Sequence, residues 1–407
     1  MQAVRVDNYE HFRAKLLQWA SNFDCCVFLE DTFTKTIIVG VGVEKEYNTI
    51  EGLPKNEWMF GYISYDYKNK LEDLVSEHPE TISFNDAYFF QPANVFILTG
   101  TEFSVQKSDF DIENLTEQIL LTSIEKSDTT EVDVTNQLSK QEYLSRVQAL
   151  QKHIHRGDIY EVNFCQEFVA EDAKLSPVSL YNQLIDVSPT PFASFLKHNG
   201  KYALCSSPER YVKKEGNEII SQPIKGTAKR GASLEEDKML IEALQTNPKE
   251  RAENVMAVDV VRNDFARVAK PGTVEVPELC KVYTFQQWHQ MISTVTAKLP
   301  ANATLNDVVN ATFPMASMTG APKISAMQLI EQYEVSKRGL YSGAIGYIQE
   351  NGDFDFNVVI RTILYDSNNQ KLSYTVGGAI TAEADPEKEY EECLLKASAI
   401  RQILSGE

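Results

Sequence analysis

The chain has 407 residues, of which 43% are hydrophobic and 24% are charged, a composition ordinary for a soluble globular protein of one large domain or two. Its formal net charge of −19 disfavours nucleic acid or an acidic membrane surface as a partner, since either would repel it. No apolar run reaches membrane-spanning length, and six scattered cysteines without a signal-like N-terminus predict reduced thiols in the cytoplasm.

The first 135 residues predict an N-terminal region of short strands and turns. Helical spacing of apolar residues predicts a helix over 9–19, and β-rich runs predict strands over 26–29 and 36–43. An aromatic run at 60–66 predicts a further strand whose rings pack in the core. A polar, acidic stretch at 125–136 predicts a linker to a second region.

The second region, residues 137–405, predicts hairpins interleaved with helices. Ser139 and Glu142 form a capping-box pattern at the start of a helix, and the alternating run at 159–170 predicts a strand with Glu161 on its polar face. The remaining predicted elements are strands at 192–196, 201–206, 210–215 and 218–221, a loop around Lys225, helices at 234–246 and 249–268, strands at 341–349, 353–364 and 371–376, and a closing helix from 386. This order predicts an α+β fold with large antiparallel sheets.

The segment 222–231 concentrates basic residues around a glycine. Lys225 stands beside Gly226, so its amine is reachable. If apolar walls or neighbouring cations lower its pKa, the amine becomes a nucleophile or a base near neutral pH. The alternative is a basic loop that meets solvent or phosphate.

Two pairs of carboxylates have helical spacing. Glu250 and Glu253 lie three apart on one predicted helix, and Glu389 and Glu392 lie three apart on another. Brought together, the two faces would form a hard site with only oxygen ligands, which suits Mg²⁺. Read alone, each pair is a solvated face, and Glu392 with Lys396 has the spacing of an i,i+4 ion pair.

Six blocks occur in a characteristic order. They are Ser-Ser-Pro-Glu-Arg at 206–210, Gln-Pro-Ile-Lys-Gly-Thr-Ala-Lys-Arg-Gly at 222–231, Lys-Glu-Arg-Ala-Glu-Asn at 249–254, Ser-Met-Thr-Gly-Ala-Pro-Lys at 317–323, Ile-Arg-Thr at 360–362 and Glu-Tyr-Glu-Glu at 389–392. In this order they resemble the chorismate-utilising enzymes over roughly residues 137–405. The resemblance implies two large antiparallel sheets packed face to face, with helices outside. Within the family, Lys225 is similar to the aminodeoxychorismate synthases, whereas the anthranilate synthases typically carry Ala there.

The resemblance also implies roles for individual residues. Lys225 would add to C2 of chorismate, and Glu209 would be the general acid for the departing C4 hydroxyl, so that ammonia gives 4-amino-4-deoxychorismate for p-aminobenzoate and folate synthesis. Glu253 and Glu392 would bind Mg²⁺ directly, with Glu250 and Glu389 behind them. The implied substrate contacts are Arg361, Lys396, Tyr341, Ser317, Thr227, Gly377, Gly378 and Glu161. The sequence itself predicts two backbone anion sites, one at Gly377 and Gly378 after the last hairpin and one where residues 317–320 lead into a helix with Pro322 in its first turn. No cysteine has a glutaminase-like setting, so ammonia is expected from a separate glutaminase subunit.

Some positions depart from the family pattern. Gln290 stands where a His is usual, with His289 one residue early, and Ala379 replaces a Gly. Glu161 occupies a position that is Lys in the isochorismate and salicylate enzymes, where it activates water, and this counts against water as the nucleophile. The alternatives are an anthranilate or isochorismate synthase, or a weakened homologue without catalysis.

Overall fold

The computed structural model describes residues 2–125, 132–285 and 288–405. The centre of the predicted linker, residues 126–131, lies outside the described residues. None of the helices in these ranges is long and apolar enough to cross a membrane.

Twenty strands are present in the described ranges. They are β1 (Gln2–Arg5), β2 (Cys25–Asp31), β3 (Thr36–Tyr47), β4 (Met59–Ile63), β5 (Ala87–Thr99), β6 (Glu102–Lys107), β7 (Thr135–Asn136), β8 (Glu161–Ala170), β9 (Phe192–His198), β10 (Lys201–Ser207), β11 (Arg210–Glu215), β12 (Glu218–Ser221), β13 (Ile224–Lys229), β14 (Glu275–Thr284), β15 (Trp288–Lys298), β16 (Gly320–Ala321), β17 (Ala344–Ile348), β18 (Phe354–Asn357), β19 (Thr362–Asp366) and β20 (Lys371–Ile380).

Eleven α-helices and two short 3-10 helices, Tyr65–Tyr67 and Ala316–Met318, accompany them in the same ranges. The α-helices are α1 (Tyr9–Ala20), α2 (Lys68–Leu71), α3 (Ile112–Leu121), α4 (Lys140–Arg156), α5 (Pro177–Val187), α6 (Leu234–Thr246), α7 (Pro248–Ala266), α8 (Leu305–Thr312), α9 (Lys323–Tyr333), α10 (Pro386–Lys396) and α11 (Ser398–Ser405). The capping box at Ser139 and Glu142 starts α4 as predicted.

The strands pair antiparallel and form one hydrogen-bonded sheet with two halves. The first half runs β1, β6, β5, β3, β2, β9, β10, β19, β20, β8. The second half runs β4, β17, β18, β11, β12, β15, with β13 and β14 both on β15. The long strand β5 also pairs with β4 and so links the halves.

The two halves pack face to face. Val27 and Leu196 from the first half form one core cluster with Phe60 and Ile345 from the second. Helices α1, α3, α5 and α11 cover the outside of the first half, and α7 and α8 cover the second. The predicted α+β class, with two antiparallel layers and helices outside, is confirmed.

Two of the places where the chain crosses between the halves are adjacent. Strand β10 passes into β11 through Pro208 and Glu209, and β18 passes into β19 through residues 358–361. The Val358 amide donates to the Glu209 carbonyl at 3.0 Å, so the crossovers lie side by side. The single strand predicted over 353–364 is wrong at this break, where Arg361 has a φ of 51°. The crossing brings Glu209 and Arg361 to one place.

Strands from before and after the predicted linker share the sheet. Strand β2 pairs with β9, and β4 pairs with β17. The boundary between an N-terminal region and the region from residue 137 stays a prediction, and the N-terminal strands contribute to the same two layers.

Candidate active site

A cavity of about 630 Å³ lies beside the crossovers, between β13, α7, β20 and α10. Twelve of the fourteen site residues predicted from the sequence line it: Lys225, Glu209, Arg361, Lys396, Tyr341, Ser317, Thr227, Gly377, Glu250, Glu253, Glu389 and Glu392. Of the other two, Glu161 contacts Lys225, and a Cβ at Gly378 would lie 3.5 Å from Glu389 Oε2. The structure therefore brings the predicted set together, while the role of each residue stays a prediction.

Lys225 lies on strand β13 and not in a loop, which corrects the prediction. The pairing of β13 with β15 is irregular between Ile224 and Thr227. Gly226 has a φ of +85° there, and a Cβ on it would lie only 2.9 Å from Glu250 Oε2. Only glycine adopts this conformation without strain and leaves room for α7. The strand therefore presents Lys225 beside the carboxylates of α7.

Lys225 forms a buried ion pair with Glu161. Its Nζ lies 2.6 Å from Glu161 Oε1, and the two side chains are 11% and 6% exposed. Burial by itself lowers the pKa of Lys225, but the carboxylates of Glu161 and Glu253 outweigh burial and raise it. The lowered pKa that the sequence hypothesis required is absent in this paired state, where Lys225 is an ammonium.

Glu209 has the properties of an acid that works near neutral pH. Burial raises the pKa of its carboxyl group to about 7, with Ser317 and Lys225 offsetting part of the rise. The Ser317 hydroxyl oxygen is itself buried without a well-formed hydrogen bond. Glu209 can therefore hold a proton at pH 7 and release it within the cavity.

Lysines separate the four carboxylates on α7 and α10. Lys249 Nζ lies 3.4 Å from Glu389 Oε1 and 3.8 Å from Glu253 Oε1, and Lys396 Nζ lies 2.9 Å from Glu392 Oε1. Over residues 2–125, 132–285 and 288–405, no three His, Cys, Asp or Glu side chains converge closely enough to hold a metal ion. Three of the four carboxylates, Glu253, Glu389 and Glu392, therefore lie within ion-pair distance of an ammonium group.

The donor set nevertheless fits a hard cation. All four carboxylates line the same cavity and offer only oxygen. Glu253 Oε1 is buried and accepts no hydrogen bond within the described part of the chain. Burial also raises the pKa of Glu253 to about 7, and Lys225 and Lys249 offset only part of the rise. The magnesium ligands stay a prediction that this geometry can accommodate.

Arg361 presents a cation without an anion. Its guanidinium lines the cavity and has no acidic partner within ion-pair distance among the described residues. Burial lowers its pKa. A partly buried guanidinium with unused donors is suited to holding a carboxylate by two parallel hydrogen bonds.

Comparison with known proteins identifies the family. Residues 21–402 match the profile of a family described as chorismate binding enzyme. The chain belongs to the chorismate binding enzyme family.

Relatives within the family carry two kinds of name. An "anthranilate synthase component I-like protein" of Synechocystis is 34% identical, with 88% of this chain and 75% of that protein covered. A "probable aminodeoxychorismate synthase" of rice is 35% identical, with 89% and 45% covered. The "aminodeoxychorismate synthase component 1" of Bacillus subtilis is 32% identical, with 84% and 76% covered. The chain thus spans less than half of the rice protein, and similarity alone does not choose between the activities.

A solved structure shows the same fold. Anthranilate synthase component I from Streptococcus pneumoniae superposes with a TM-score of 0.76 at 24% identity, with 98% of this chain and 92% of that chain covered. This agrees with the two-layer architecture described above.

The departures from the family pattern have clear positions. Gln290 lines the cavity opposite Thr227 on β13, and Ala379 lines it too. His289 is fully buried and points elsewhere, with its ring nitrogens 2.9 Å from Asp237 Oδ1 and Thr284 Oγ1. The usual imidazole is therefore replaced by a neutral amide at the cavity wall.

Two backbone predictions are corrected. Gly377 and Gly378 do not follow a hairpin; they lie inside β20, paired with β8, and the Gly377 carbonyl accepts a hydrogen bond from Lys396. Ser317 lies in a 3-10 turn, and Pro322 is the N-cap of α9 and not part of its first turn. Neither place is a simple anion-binding helix start.

Sequence reasoning missed Lys249 and Trp288 as cavity residues. Lys249 had a local signal, because it lies four positions before Glu253 on the same helix. Trp288 had none, since its position depends on β15 folding back beside β13.

Proposed function

We propose that this chain converts chorismate and ammonia into 4-amino-4-deoxychorismate, the precursor of p-aminobenzoate. The observation that carries the proposal is the presence in one cavity of a buried lysine amine, Lys225, and a carboxyl group with a pKa of about 7, Glu209. A nucleophile and an acid that face the same bound substrate would allow the nucleophile to add while the acid protonates the leaving group.

The cavity has cations for the two carboxylates of chorismate. Arg361 has unused guanidinium donors, and Lys396 lines the same cavity from α10. Mg²⁺ held by Glu253 and Glu392, with Glu250 and Glu389 behind them, would supply positive charge for a substrate carboxylate. Such local cations are needed because the whole chain carries a formal charge of −19.

The reaction is a double displacement. The Lys225 amine adds to C2, the two ring double bonds shift, and the C4–O bond breaks as Glu209 gives its proton to the leaving hydroxyl. Ammonia then adds to C4, the double bonds shift back, and the C2–N bond to Lys225 breaks. The ammonium formed at C4 returns a proton to Glu209, so chorismate and ammonia give the product and water.

Lys225 and Glu161 argue against the other chorismate products. An Ala at position 225 would leave ammonia to attack C2 directly, which gives the anthranilate outcome. A carboxylate at position 161 cannot replace the lysine that activates water in the isochorismate enzymes. Anthranilate synthesis remains the second candidate, because the Synechocystis relative carries that name.

The ammonia is proposed to come from a separate glutaminase. All six cysteines are buried, and none lines the cavity. The name of the Bacillus relative, component 1, supports a second component.

The test is product analysis of the purified chain with chorismate, Mg²⁺ and high ammonium at mildly alkaline pH. Wild type should form aminodeoxychorismate, and Lys225→Ala should lose the product or divert it to anthranilate. Lys213→Ala on β11, away from the cavity, is the matched control and should behave as wild type. Anthranilate or isochorismate from wild type would assign a sister activity, and untouched chorismate would favour a homologue without catalysis.

A further inference from the structure

Lys225 must lose a proton before its amine can add to a ring carbon, and one carboxylate contacts it. We propose that Glu161 is the catalytic base that removes this proton. The inference rests on the proposed function and gives Glu161 a chemical role in addition to the substrate contact that the resemblance implied.

The contact has the geometry of a proton transfer. Lys225 Nζ donates to Glu161 Oε1 at 2.6 Å, within the range in which a base takes a proton directly. Strand pairing holds Glu161 at the start of β8 opposite Ala321, and it holds Lys225 between Ile224 and Thr227, which both pair with β15. Only the proton needs to move.

The other acidic groups near Lys225 are committed elsewhere. Glu209 faces it from the crossover but needs its own proton for the leaving hydroxyl. Glu253 and Glu250 face it from α7, and Glu392 faces it from α10. Within the described residues, none of these four hydrogen-bonds to Lys225, which leaves Glu161 as the base in contact.

A bound substrate that displaces water from the cavity favours the transfer. An ammonium and a carboxylate removed from water cost much more than an amine and a carboxylic acid, which are both neutral. The free site holds the ion pair because Glu161 raises the pKa of Lys225. When the substrate ring displaces water, the neutral pair becomes competitive and the amine is released for attack.

Protons balance over the cycle. Glu161 takes one proton from the Lys225 ammonium, and the free amine then adds to C2 as a secondary ammonium. When ammonia expels Lys225 from C2, the lysine leaves as a neutral amine and recovers its proton from Glu161. Glu209 separately gives one proton to the hydroxyl and regains one from the new C4 ammonium, so no outside acid or base is consumed.

The experiment measures the covalent step alone. Wild type and Glu161→Gln are mixed with chorismate and Mg²⁺ without ammonia, and the Lys225 adduct is followed by rapid quench and mass spectrometry between pH 6.5 and 9. At pH 7 the Gln variant should form the adduct about 100-fold more slowly than wild type. The ratio of its rate to the wild-type rate should rise about tenfold per pH unit, because solvent must then remove the proton from Lys225, whereas loss of the Glu209 proton above its pKa of about 7 slows both proteins alike.

Two further variants guard the interpretation. Glu167→Gln makes the same change at a buried carboxylate on the same strand, outside the cavity, and should leave the rate unchanged. Glu161→Asp keeps a base one methylene shorter and should restore part of the rate.

The contrary results are distinct. If Glu161 only holds Lys225 as an ammonium, its removal frees the amine, and Glu161→Gln reacts at least as fast as wild type at pH 7. That result would overturn the base role and leave the proposed function standing. No adduct in wild type at any pH, together with failure of the product test, would overturn both.

Discussion

Two ion pairs, Arg338–Glu334 behind the cavity wall and Lys225–Glu161 inside the cavity, differ in how many of their N–H donors form hydrogen bonds. Behind the wall, Arg338 donates to both carboxylate oxygens of Glu334, at 2.9 and 2.6 Å, and to the carbonyls of Met318 and Asn163. Its guanidinium also lies 4.6 Å from the centre of the Tyr65 ring. This pair is saturated with contacts.

Inside the cavity, Lys225 has three N–H donors and makes a hydrogen bond to Glu161. Its neighbours line open space and do not form a packed wall. A saturated pair fixes the backbone around it, and Arg338 in this way holds Met318 and Asn163, which both line the cavity. A pair with unused donors can instead change its protonation and its partners. Burial alone therefore does not distinguish a structural ion pair from a reactive one, whereas the number of unused hydrogen-bond donors does.

The largest effect on the rate is expected from replacing the proposed acid inside the cavity, Glu209. Glu209→Gln keeps the shape but cannot supply a proton, so kcat should fall by about 10³. In wild type the acid is active when protonated, so kcat/KM at constant free ammonia should be maintained below the Glu209 pKa of about 7 and fall as the pH rises through it. Steady-state rates between pH 6 and 9 measure both effects.

The matched control for Glu209→Gln is Asp355→Asn. It makes the same neutralisation at a partly buried carboxylate of β18 that pairs with Arg210 and does not line the cavity. It should leave the pH dependence of the remaining activity in place. An alkaline limb that persists unchanged in Glu209→Gln would remove Glu209 from the acid role.

The saturated pair should show the opposite balance between stability and rate. Arg338→Met leaves Glu334 buried without its cation and should lower the free energy of unfolding by about 3–5 kcal/mol. Lys225→Met should cost about 1 kcal/mol, because Glu161 loses a single hydrogen bond. Urea unfolding followed by circular dichroism measures both. Equal losses of stability would contradict the distinction between the two pairs.

The sequence predicted elements whose signals are local. The capping box before α4, the alternation of β8 and the helical spacing of the glutamates on α7 and α10 are all visible in short windows. The break in the strand at 358–361 is not, because Phe356, Val358 and Ile360 keep alternating through it. The chain breaks there because it crosses from one half of the sheet to the other, which is a tertiary requirement.

The same limit applies to the site. The order of the motifs predicted residues that do lie together in the cavity. It did not predict the ion pair between Lys225 and Glu161, because that pair joins β13 to β8 from distant parts of the chain. The sequence hypothesis lowered the pKa of Lys225 through cations or apolar walls, whereas the fold places carboxylates around it and raises that pKa. The direction of the Lys225 pKa shift therefore depends on charges that only the folded chain brings together.

A smaller effect is expected at the cation without a partner. Arg361→Met should raise the KM for chorismate about 30-fold, since a charge-assisted contact to a carboxylate contributes about 2 kcal/mol. The free energy of unfolding should not fall, because a partly buried cation without an acidic partner is removed. Arg361→Lys keeps the charge without the planar fork and should recover part of the affinity. An unchanged KM in Arg361→Met would place the substrate carboxylate elsewhere.

The smallest effect is expected at Lys249, which partly saturates the carboxylates that would hold Mg²⁺. Its ammonium lies between Glu389 and Glu253 and competes with a divalent cation for the same oxygens. Lys249 is about half exposed, so its removal should tighten Mg²⁺ binding by only about fivefold, or about 1 kcal/mol. Calorimetry of Lys249→Met without chorismate measures the change, and Lys249→Arg should keep the wild-type affinity. Weaker Mg²⁺ binding in Lys249→Met would mean that the lysine orients the carboxylates for the cation. The carboxylates of α7 and α10 would then be held in place as firmly as the residues that Arg338 fixes.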